Sequence, residues 1–223
     1  VSRTEKYVLS GTGYADSDAV YYDPPETAST ITADTFVIFR DAAAGSNEET
    51  ADHTWNSWEN GTTASIDTGT DSPPEGSTYG IVTPTPLSWG WGMTLSLQDP
   101  VDLSAFETSG SISFRIKTTY PGNLEIGFFT GFTGDSQGVD VYLTVDPSDN
   151  TYGYSNDGSW HSVSIPVSDI TPNAAPAYGM DSSAELNMAE VYASFVIADR
   201  YATTGNSSGA TNVINLDEIR WVK

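Results

Sequence analysis

Apolar and polar residues alternate along much of the chain with the two-residue period of half-buried β-strands. Segment 111–117 (SISFRIK) is the clearest case, because its apolar residues occupy every second position and leave serine, arginine and lysine on the other face. Segment 138–145 (GVDVYLTV) repeats the pattern. Further strand-like segments, separated by clusters of Gly, Asn, Asp and Pro, are 35–39, 123–129, 159–165, 190–199 and 211–222. The pattern predicts about ten strands.

Helical periodicity is nearly absent. Only segment 182–191 (SSAELNMAEV) has the composition of a helix, and its length would support no more than a turn or two. We therefore predict an all-β protein, an antiparallel β-sandwich of jelly-roll type formed by residues 34–223. Residues 1–33 mix turn formers with acids, and we predict a linker or an added edge strand there.

Charge narrows the range of partners. The chain has 8 basic and 30 acidic residues and a net charge of −22. Nucleic acids and anionic membranes bind through Lys and Arg, so neither is an expected partner. No stretch approaches the ~20 apolar residues of a membrane span. The acidity is compatible with a neutral ligand, with divalent cations or simply with solubility, and we expect a monomer.

Aromatic residues give the strongest functional signal. There are 6 Trp, 12 Tyr and 8 Phe residues, and four of the tryptophans form two close pairs, Trp55/Trp58 and Trp89/Trp91. The C–H groups of a pyranose pack well on an indole face, while its hydroxyls form hydrogen bonds around the ring. Paired tryptophans therefore predict a carbohydrate-binding surface.

The two pairs differ in their expected exposure. Trp55 and Trp58 have opposite parity in a strand, so at most one of them would face a core if the segment is extended. The other would be exposed or covered by a loop, and we expect at least one of the two rings to contact a ligand. Trp89 and Trp91 share the parity of Met93 and Leu95, which is typical of core residues. The glycines beside these two rings and the prolines before them favour a ligand role, and both interpretations stay open. Trp160 and Trp221 are predicted to be structural.

Polar contacts to a sugar are expected from outward strand positions and from one loop. Arg115, Lys117 and Tyr142 occupy the polar parity of their strands, and Tyr154 lies in the turn-rich segment 151–157. A guanidinium can bind vicinal hydroxyls with two hydrogen bonds. The alternative for Arg115 is a salt bridge to a neighbouring acid.

Three segments in order along the chain carry a family resemblance: PVDLSAFETSGSISFRIKTT at 100–119, DGSWHSVSIPVSDI at 157–170 and INLDEIRWV at 214–222. Together they resemble the galactose-binding-like jelly-roll carbohydrate-binding modules of bacteria, which are appended to glycoside hydrolases. The resemblance spans about residues 35–223. It implies a polysaccharide ligand, attachment to a glycoside hydrolase within a longer chain, and a secreted or cell-surface location.

The resemblance also implies a calcium ion that ties an early loop to the final strand. Asp217 matches the closing-strand position of that pattern, and the acidic loop that contains Asp41 and Glu48 would supply further oxygen ligands. A solvated acidic loop without metal is the alternative.

The sequence contains no recognisable catalytic motif. Glycosidases need two facing carboxyl groups, and the nearest pair, Asp217 and Glu218, is adjacent and so points to opposite faces. His53 and His161 lie in segments explained by turns and packing. We predict a non-catalytic module for a neutral β-glucan, with a laminarin-like β-1,3-glucan favoured. The alternatives are a structural spacer or adhesion domain, and a jelly-roll glycosidase or lyase.

Overall fold

A computed structural model describes residues 28–43, 45–85, 90–131, 136–200 and 212–223. The strands are β1 (Ser29–Thr30), β2 (Thr35–Phe39), β3 (Glu48–Thr50), β4 (His53–Ser57), β5 (Ala64–Gly69), β6 (Tyr79–Pro84), β7 (Trp91–Asp102), β8 (Ser111–Thr118), β9 (Leu124–Thr130), β10 (Val139–Val145), β11 (Trp160–Pro166), β12 (Ala174–Pro176), β13 (Val191–Asp199) and β14 (Ile214–Val222). The helical elements are the one-turn helices α1 (Trp58–Gly61) and α2 (Val167–Ile170) and the 3₁₀ turns Ser104–Phe106 and Thr171–Asn173.

The strands form two facing seven-stranded sheets. Sheet A has the order β1-β7-β13-β9-β10-β12, with β4 also paired to β7. Sheet B has the order β11-β8-β14-β2-β3, and β6 joins it through β14 and carries β5. Pairing is antiparallel except between β1 and β7 and between β2 and β3. The predicted all-β sandwich is confirmed, and the strand number exceeds the prediction because several strands have only two or three residues.

The core lies between the sheets and follows the alternation seen in the sequence. On β8 the apolar residues Ile112, Phe114 and Ile116 are buried, while the residues between them are half-exposed. Trp221 of β14 is fully buried, and its Nε1 donates a hydrogen bond to the Ser194 carbonyl at 2.8 Å. Its role is structural, as predicted from the sequence.

Segment 182–191 contains turns but no helix. Ala184 and Met188 instead insert into the core from this irregular segment. On the other side of the C-terminal end of β7, β1 forms a short edge strand, and Ile31 just after it is buried in the core. Among the described residues, no helix is long and apolar enough to cross a membrane.

Candidate functional site

An aromatic cluster covers part of the outer face of sheet A, the face turned away from the core. Its rings are those of Trp58, Phe129, Tyr142 and Tyr192. The ring centroids of Trp58 and Tyr142 lie 6.4 Å apart, and those of Phe129 and Tyr142 lie 5.6 Å apart. The last three residues face outward from β9, β10 and β13 because successive strand side chains point to opposite sides. Trp58 reaches the same face as the first residue of α1.

A glycine on β7 makes room for the Trp58 ring. A Cβ atom added at Gly92 would lie only 2.3 Å from Cδ2 of the indole, so any side chain there would displace the ring. Ala198 of β13 is the cross-strand partner of Gly92, so the side chain next to this glycine on the outer face is also small. The indole thus lies flat against a low part of the sheet and stays half-buried rather than fully exposed.

A groove of about 750 Å³ runs over β9 and β10 beside this cluster. Phe129 and Tyr142 form its floor, Trp58 lies on the β7 side, and Pro176 and Tyr178 form the wall on the β12 side. Tyr178 is fully exposed, while Trp58 and Phe129 are half-buried. Exposed aromatic surface that lines a concavity is typical of a ligand site.

An ion pair between the half-exposed Arg200 and the nearly buried Glu125 closes one end of the groove. The Arg200 guanidinium donates to Glu125 through Nη2 at 2.7 Å and through Nε at 2.9 Å, and it lies over the Tyr142 ring at 3.9 Å from the centroid. Tyr142 is consequently only 7% exposed, so it supports the groove and presents little ring surface to a ligand. Burial raises the pKa of its hydroxyl, which keeps the phenol neutral.

Asp140 supplies a carboxylate at the other end of the groove. It faces outward from β10, pairs across the sheet with Phe129 and lines the groove beside the rings. Burial raises the pKa of this carboxyl from 3.8 to about 6, and the Arg200 charge offsets part of the rise. A half-buried carboxylate next to aromatic rings can accept hydrogen bonds from the hydroxyl groups of a ring-stacked ligand.

Sequence comparison identifies the family of the protein. The family model of carbohydrate binding domain 30 matches residues 35–220 of the chain. The chain belongs to carbohydrate-binding family 30. The protein is therefore a carbohydrate-binding module, and the family resemblance read from the sequence is confirmed at this level.

Solved structures of similar modules share the fold. The family 30 module of a cellulosomal cellulase of Clostridium thermocellum is 18% identical, with a TM-score of 0.57 over 85% of this chain and 97% of its own. The family 11 module of Clostridium thermocellum, solved with a β-1,3-1,4-mixed-linked tetrasaccharide, is 21% identical, with a TM-score of 0.52 over 75% of this chain and 88% of its own. No curated protein sequence matches the chain.

The Trp55/Trp58 pair of this family 30 module divides between two environments. Trp58 lies on the groove, whereas Trp55 turns inward from β4 and packs against the core. The Trp55 ring makes an edge contact with Phe39 of β2, with 5.4 Å between ring centroids. The sequence predicted at most one inward ring for an extended segment. The strand ends at Ser57, so Trp58 faces outward as the first residue of α1 and not through strand parity. Trp55 consequently lies outside the groove.

Two other predicted contact residues have no exposed surface from which to touch a ligand. Trp91 is fully buried, and its Nε1 donates to the Tyr120 hydroxyl at 3.1 Å. Tyr120 in turn donates to Asp199 at 2.7 Å, which fixes the tryptophan within the core. Tyr154 is 1% exposed because the loop before β11 folds inward. Trp89 lies outside the described residues.

Arg115 and Lys117 lie on the opposite side of the module, on the outer face of sheet B. Arg115 forms an ion pair with Glu218 through Nε at 2.8 Å, which is the salt-bridge alternative considered for it. Lys117 is paired across the strands with Trp160 and Asn215. The structure therefore does not bring these two cations together with Tyr142.

The acids predicted to hold calcium do not form one set of ligands. Glu48 binds Arg40, Asp41 binds Ser77 and Thr78, and Asp217 is fully buried beside β14 backbone. Within the described ranges no three His, Cys, Asp or Glu side chains are grouped so that they could hold a metal ion. Calcium binding by these residues stays a prediction.

The groove contains two acids, which lie at its two ends. Glu125 pairs with Thr144 and Asp140 pairs with Phe129, so they lie four strand positions apart. At ~3.3 Å per residue this offset separates their backbone positions by about 13 Å along the strands, and the Glu125 carboxylate is held by Arg200. His53 contacts the Ser194 hydroxyl at 2.7 Å, but Ser194 is fully buried and beyond the reach of a polysaccharide.

Several groove residues were missed by the sequence analysis. The alternation in segment 123–129 places Glu125 and Phe129 on the polar face of their strand, so this signal was available. Asp140 likewise shares the outward parity of Tyr142. Tyr178 and Arg200 lie just beyond strand ends, where periodicity carries no information about position.

Proposed function

We propose that this module binds a single chain of a neutral β-glucan in the groove over β9 and β10, without catalysis, and targets an attached extracellular glycoside hydrolase to that polymer. The observation that carries the proposal is the set of partly exposed rings around a carboxylate: Trp58, Phe129 and Tyr178 with Asp140. Laminarin, a β-1,3-glucan, is the ligand that we favour.

Each groove residue has a distinct part in this proposal. The rings pack against the C–H faces of successive sugar units, which gives affinity without charge. Asp140 accepts hydrogen bonds from hydroxyls, and Arg200 donates them while Glu125 holds its guanidinium in place. Neutral polymers are favoured because a chain of net charge −22 repels pectin, alginate and sulfated polysaccharides.

The shape of the groove supports a single extended chain. It follows the strands from the Glu125 row to the Phe129 row, about 13 Å at ~3.3 Å per residue. A flat platform for a crystalline surface would need several coplanar exposed rings, whereas here rings line both walls. The mixed-linked tetrasaccharide in the similar family 11 module is a ligand of the same general form.

A ligand panel tests the proposal. Native affinity gels with laminarin, lichenan, xylan, mannan and agarose should show retardation by laminarin or lichenan and none by the others. Titration calorimetry with the matching oligosaccharides then gives the affinity. If protein that is folded by circular dichroism binds neither laminarin nor lichenan, the glucan proposal is refuted.

One pair of variants connects binding to the groove. Tyr178→Ala removes a fully exposed ring, so folding should be unaffected while the β-glucan affinity falls. Ile66→Ala removes an exposed apolar side chain from β5 of sheet B and is the matched control. Equal affinities for the two variants would exclude the Tyr178 wall from the binding site.

A further inference from the structure

We propose that Thr63 is a positioning residue for the Trp58 ring, because its buried hydroxyl holds the base of α1 against β7. This inference rests on the function proposed above, since it gives Thr63 a part in the same binding site. Thr63 is fully buried and does not line the groove, so it acts on a ligand only through the ring that it positions.

The turn that presents Trp58 has little stability of its own. β4 pairs with β7 as far as Ser57, which stands opposite Met93, and the next strand, β5, belongs to sheet B. α1 makes this crossing in a single turn, so few hydrogen bonds within it fix its shape. Gly61 has a φ of 86° and Glu59 a φ of 51°, a left-handed conformation that is unfavourable for a residue with a Cβ atom. Contacts outside the turn must therefore hold it.

Thr63 supplies such a contact by replacing a strand residue as the partner of Gly92. The register of β4 against β7 would place Trp58 opposite Gly92 in the next pair, but the chain has already turned into α1. The Thr63 hydroxyl instead donates to the Gly92 carbonyl at 3.1 Å and accepts from the Gly92 N–H at 3.3 Å. Gly92 is also the residue against which the Trp58 ring packs. One hydroxyl thus joins the end of α1 to the strand position beneath the ring.

Ser57 extends this contact to the start of α1. Its Oγ lies 3.1 Å from Oγ1 of Thr63 and accepts from the Ala64 N–H at 2.8 Å. The single hydrogen of the Thr63 hydroxyl goes to Gly92, so Ser57 is the donor in its pair with Thr63. The Thr63 carbonyl accepts from the Thr85 N–H at 2.8 Å. Valine has nearly the shape of threonine, but at position 63 it would leave the Gly92 N–H and carbonyl without this partner.

The first experiment follows the Trp58 ring in the absence of ligand. NMR records the contacts between the ring protons of Trp58 and Tyr142, whose ring centroids lie 6.4 Å apart. These contacts should be lost in Thr63→Val, because α1 is released from β7. They should be restored in Thr63→Ser, which keeps the hydroxyl.

Thr118→Val is the matched control. Thr118 is a buried threonine of β8 whose hydroxyl donates to the Val213 carbonyl at 2.8 Å and accepts from the Tyr120 N–H at 2.9 Å. Both valine variants should lower the melting temperature by about 5 °C, because each leaves buried backbone groups without a partner. The Thr118 variant should keep the contacts between Trp58 and Tyr142.

Titration calorimetry with a laminarin oligosaccharide gives the second measurement. The affinity should fall about tenfold in Thr63→Val, return to within about threefold in Thr63→Ser and stay within about twofold in Thr118→Val. Should Thr63→Val fail to fold, Ser57→Ala removes the other hydroxyl of the contact. It should weaken the ring contacts and lower the affinity about threefold.

Unchanged ring contacts in Thr63→Val, or in Ser57→Ala where that variant takes its place, would overturn the proposal. An equal loss of affinity in Thr118→Val would also overturn it, because a general loss of stability would then explain the effect. If the unaltered protein binds neither laminarin nor lichenan, the function proposed above fails. The ring contacts then decide by themselves whether Thr63 positions Trp58.

Discussion

On the outer face of sheet A the half-exposed rings of Trp58 and Phe129 line a groove, whereas polar side chains on the outer face of sheet B bind each other. On sheet B the Ser113 hydroxyl contacts that of Ser164 at 3.1 Å, and Arg115 is paired with Glu218. Both faces arise from the same strand alternation. They differ in whether their outward groups have partners within the protein. Among the residues that the structure describes, the outer face of sheet A carries a groove lined by partly exposed rings.

Trp58 and Trp160 are the sharpest matched pair in this comparison, since both are outward-facing and half-buried tryptophans. Trp58 lies over Gly92 and borders the groove. Trp160 packs edge-on against Tyr79 of β6, with 5.3 Å between ring centroids, and Tyr79 is itself buried. The first ring is available to a ligand and the second fills the sheet surface.

The largest effect is expected from Trp58→Ala. Removal of this ring takes away a wall of the groove, so the β-glucan affinity should fall at least about 30-fold, the scale of a binding hot spot. Titration calorimetry measures it. A loss below about threefold would show that the ligand does not stack on Trp58.

Trp160→Ala should affect folding and leave binding unchanged. Loss of the contact with Tyr79 should lower the free energy of unfolding by about 1–2 kcal/mol. Urea unfolding gives that value, and calorimetry should return an affinity within about twofold of the unaltered protein. Lost affinity with unchanged stability would place the sugar on sheet B instead.

Two arginines extend the comparison to charged groups. Arg200→Met removes the guanidinium that lines the groove and covers Tyr142, so affinity should fall by about tenfold. Arg115→Met removes a sheet B cation and should leave affinity unchanged. The same titration serves both variants, and an equal loss in both would indicate a general charge effect rather than a groove contact.

The smallest expected effect is a pH dependence of binding. The pKa of Asp140 is raised to about 6 by burial, so the carboxyl becomes ionised between about pH 5 and 7 and then accepts ligand hydroxyls better. Affinity should therefore rise by about threefold as pH increases through that range. Asp140→Asn should remove the rise. A profile for Asp140→Asn identical to that of the unaltered protein would assign the titration to another group.

Stability should respond to pH in both directions. Burial raises the pKa of Asp140 and of Asp217 from 3.8 to about 6 in the folded protein. Ionisation of these carboxyls therefore lowers the free energy of unfolding as the pH rises from about 4 to 6. His53 acts oppositely: burial lowers its pKa to about 4, so its contribution is lost as pH falls from about 6.5 to 4. Asp140→Asn should thus raise stability at pH 7, by on the order of 1 kcal/mol.

Strand alternation predicted which residues face inward, but not which sheet each strand joins. The inward positions of β8 followed from residue spacing alone, whereas Trp58 faces outward because the strand ends before it and α1 begins. Arg115 and Tyr142 were both correctly read as outward, yet they lie on opposite faces of the sandwich. Sheet membership depends on pairing between strands distant in sequence, which local patterns do not encode.

The remaining discrepancies have local causes. The sequence analysis took the glycines beside Trp89 and Trp91 as a sign of a ligand role. In the structure the missing side chain of Gly92 makes room for the Trp58 ring, 34 positions away along the chain. Tyr154 was read as a surface residue from its polar neighbours, but a loop can fold one side chain into the core. Trp91 has the same strand parity as Met93 and Leu95, which predicted that it is buried, whereas the adjacent glycines suggested a ligand role. The structure buries it.

The most direct measurement is a titration of isotope-labelled protein with a laminarin oligosaccharide, in which NMR records the chemical shifts of the backbone amides. We expect saturable changes concentrated in α1, in outward positions of β9, β10 and β13, and around β12 and Tyr178, with β8, β11 and β14 unaffected. Changes concentrated around Arg115, Lys117 and Trp160 would contradict it, because they would place the ligand on sheet B.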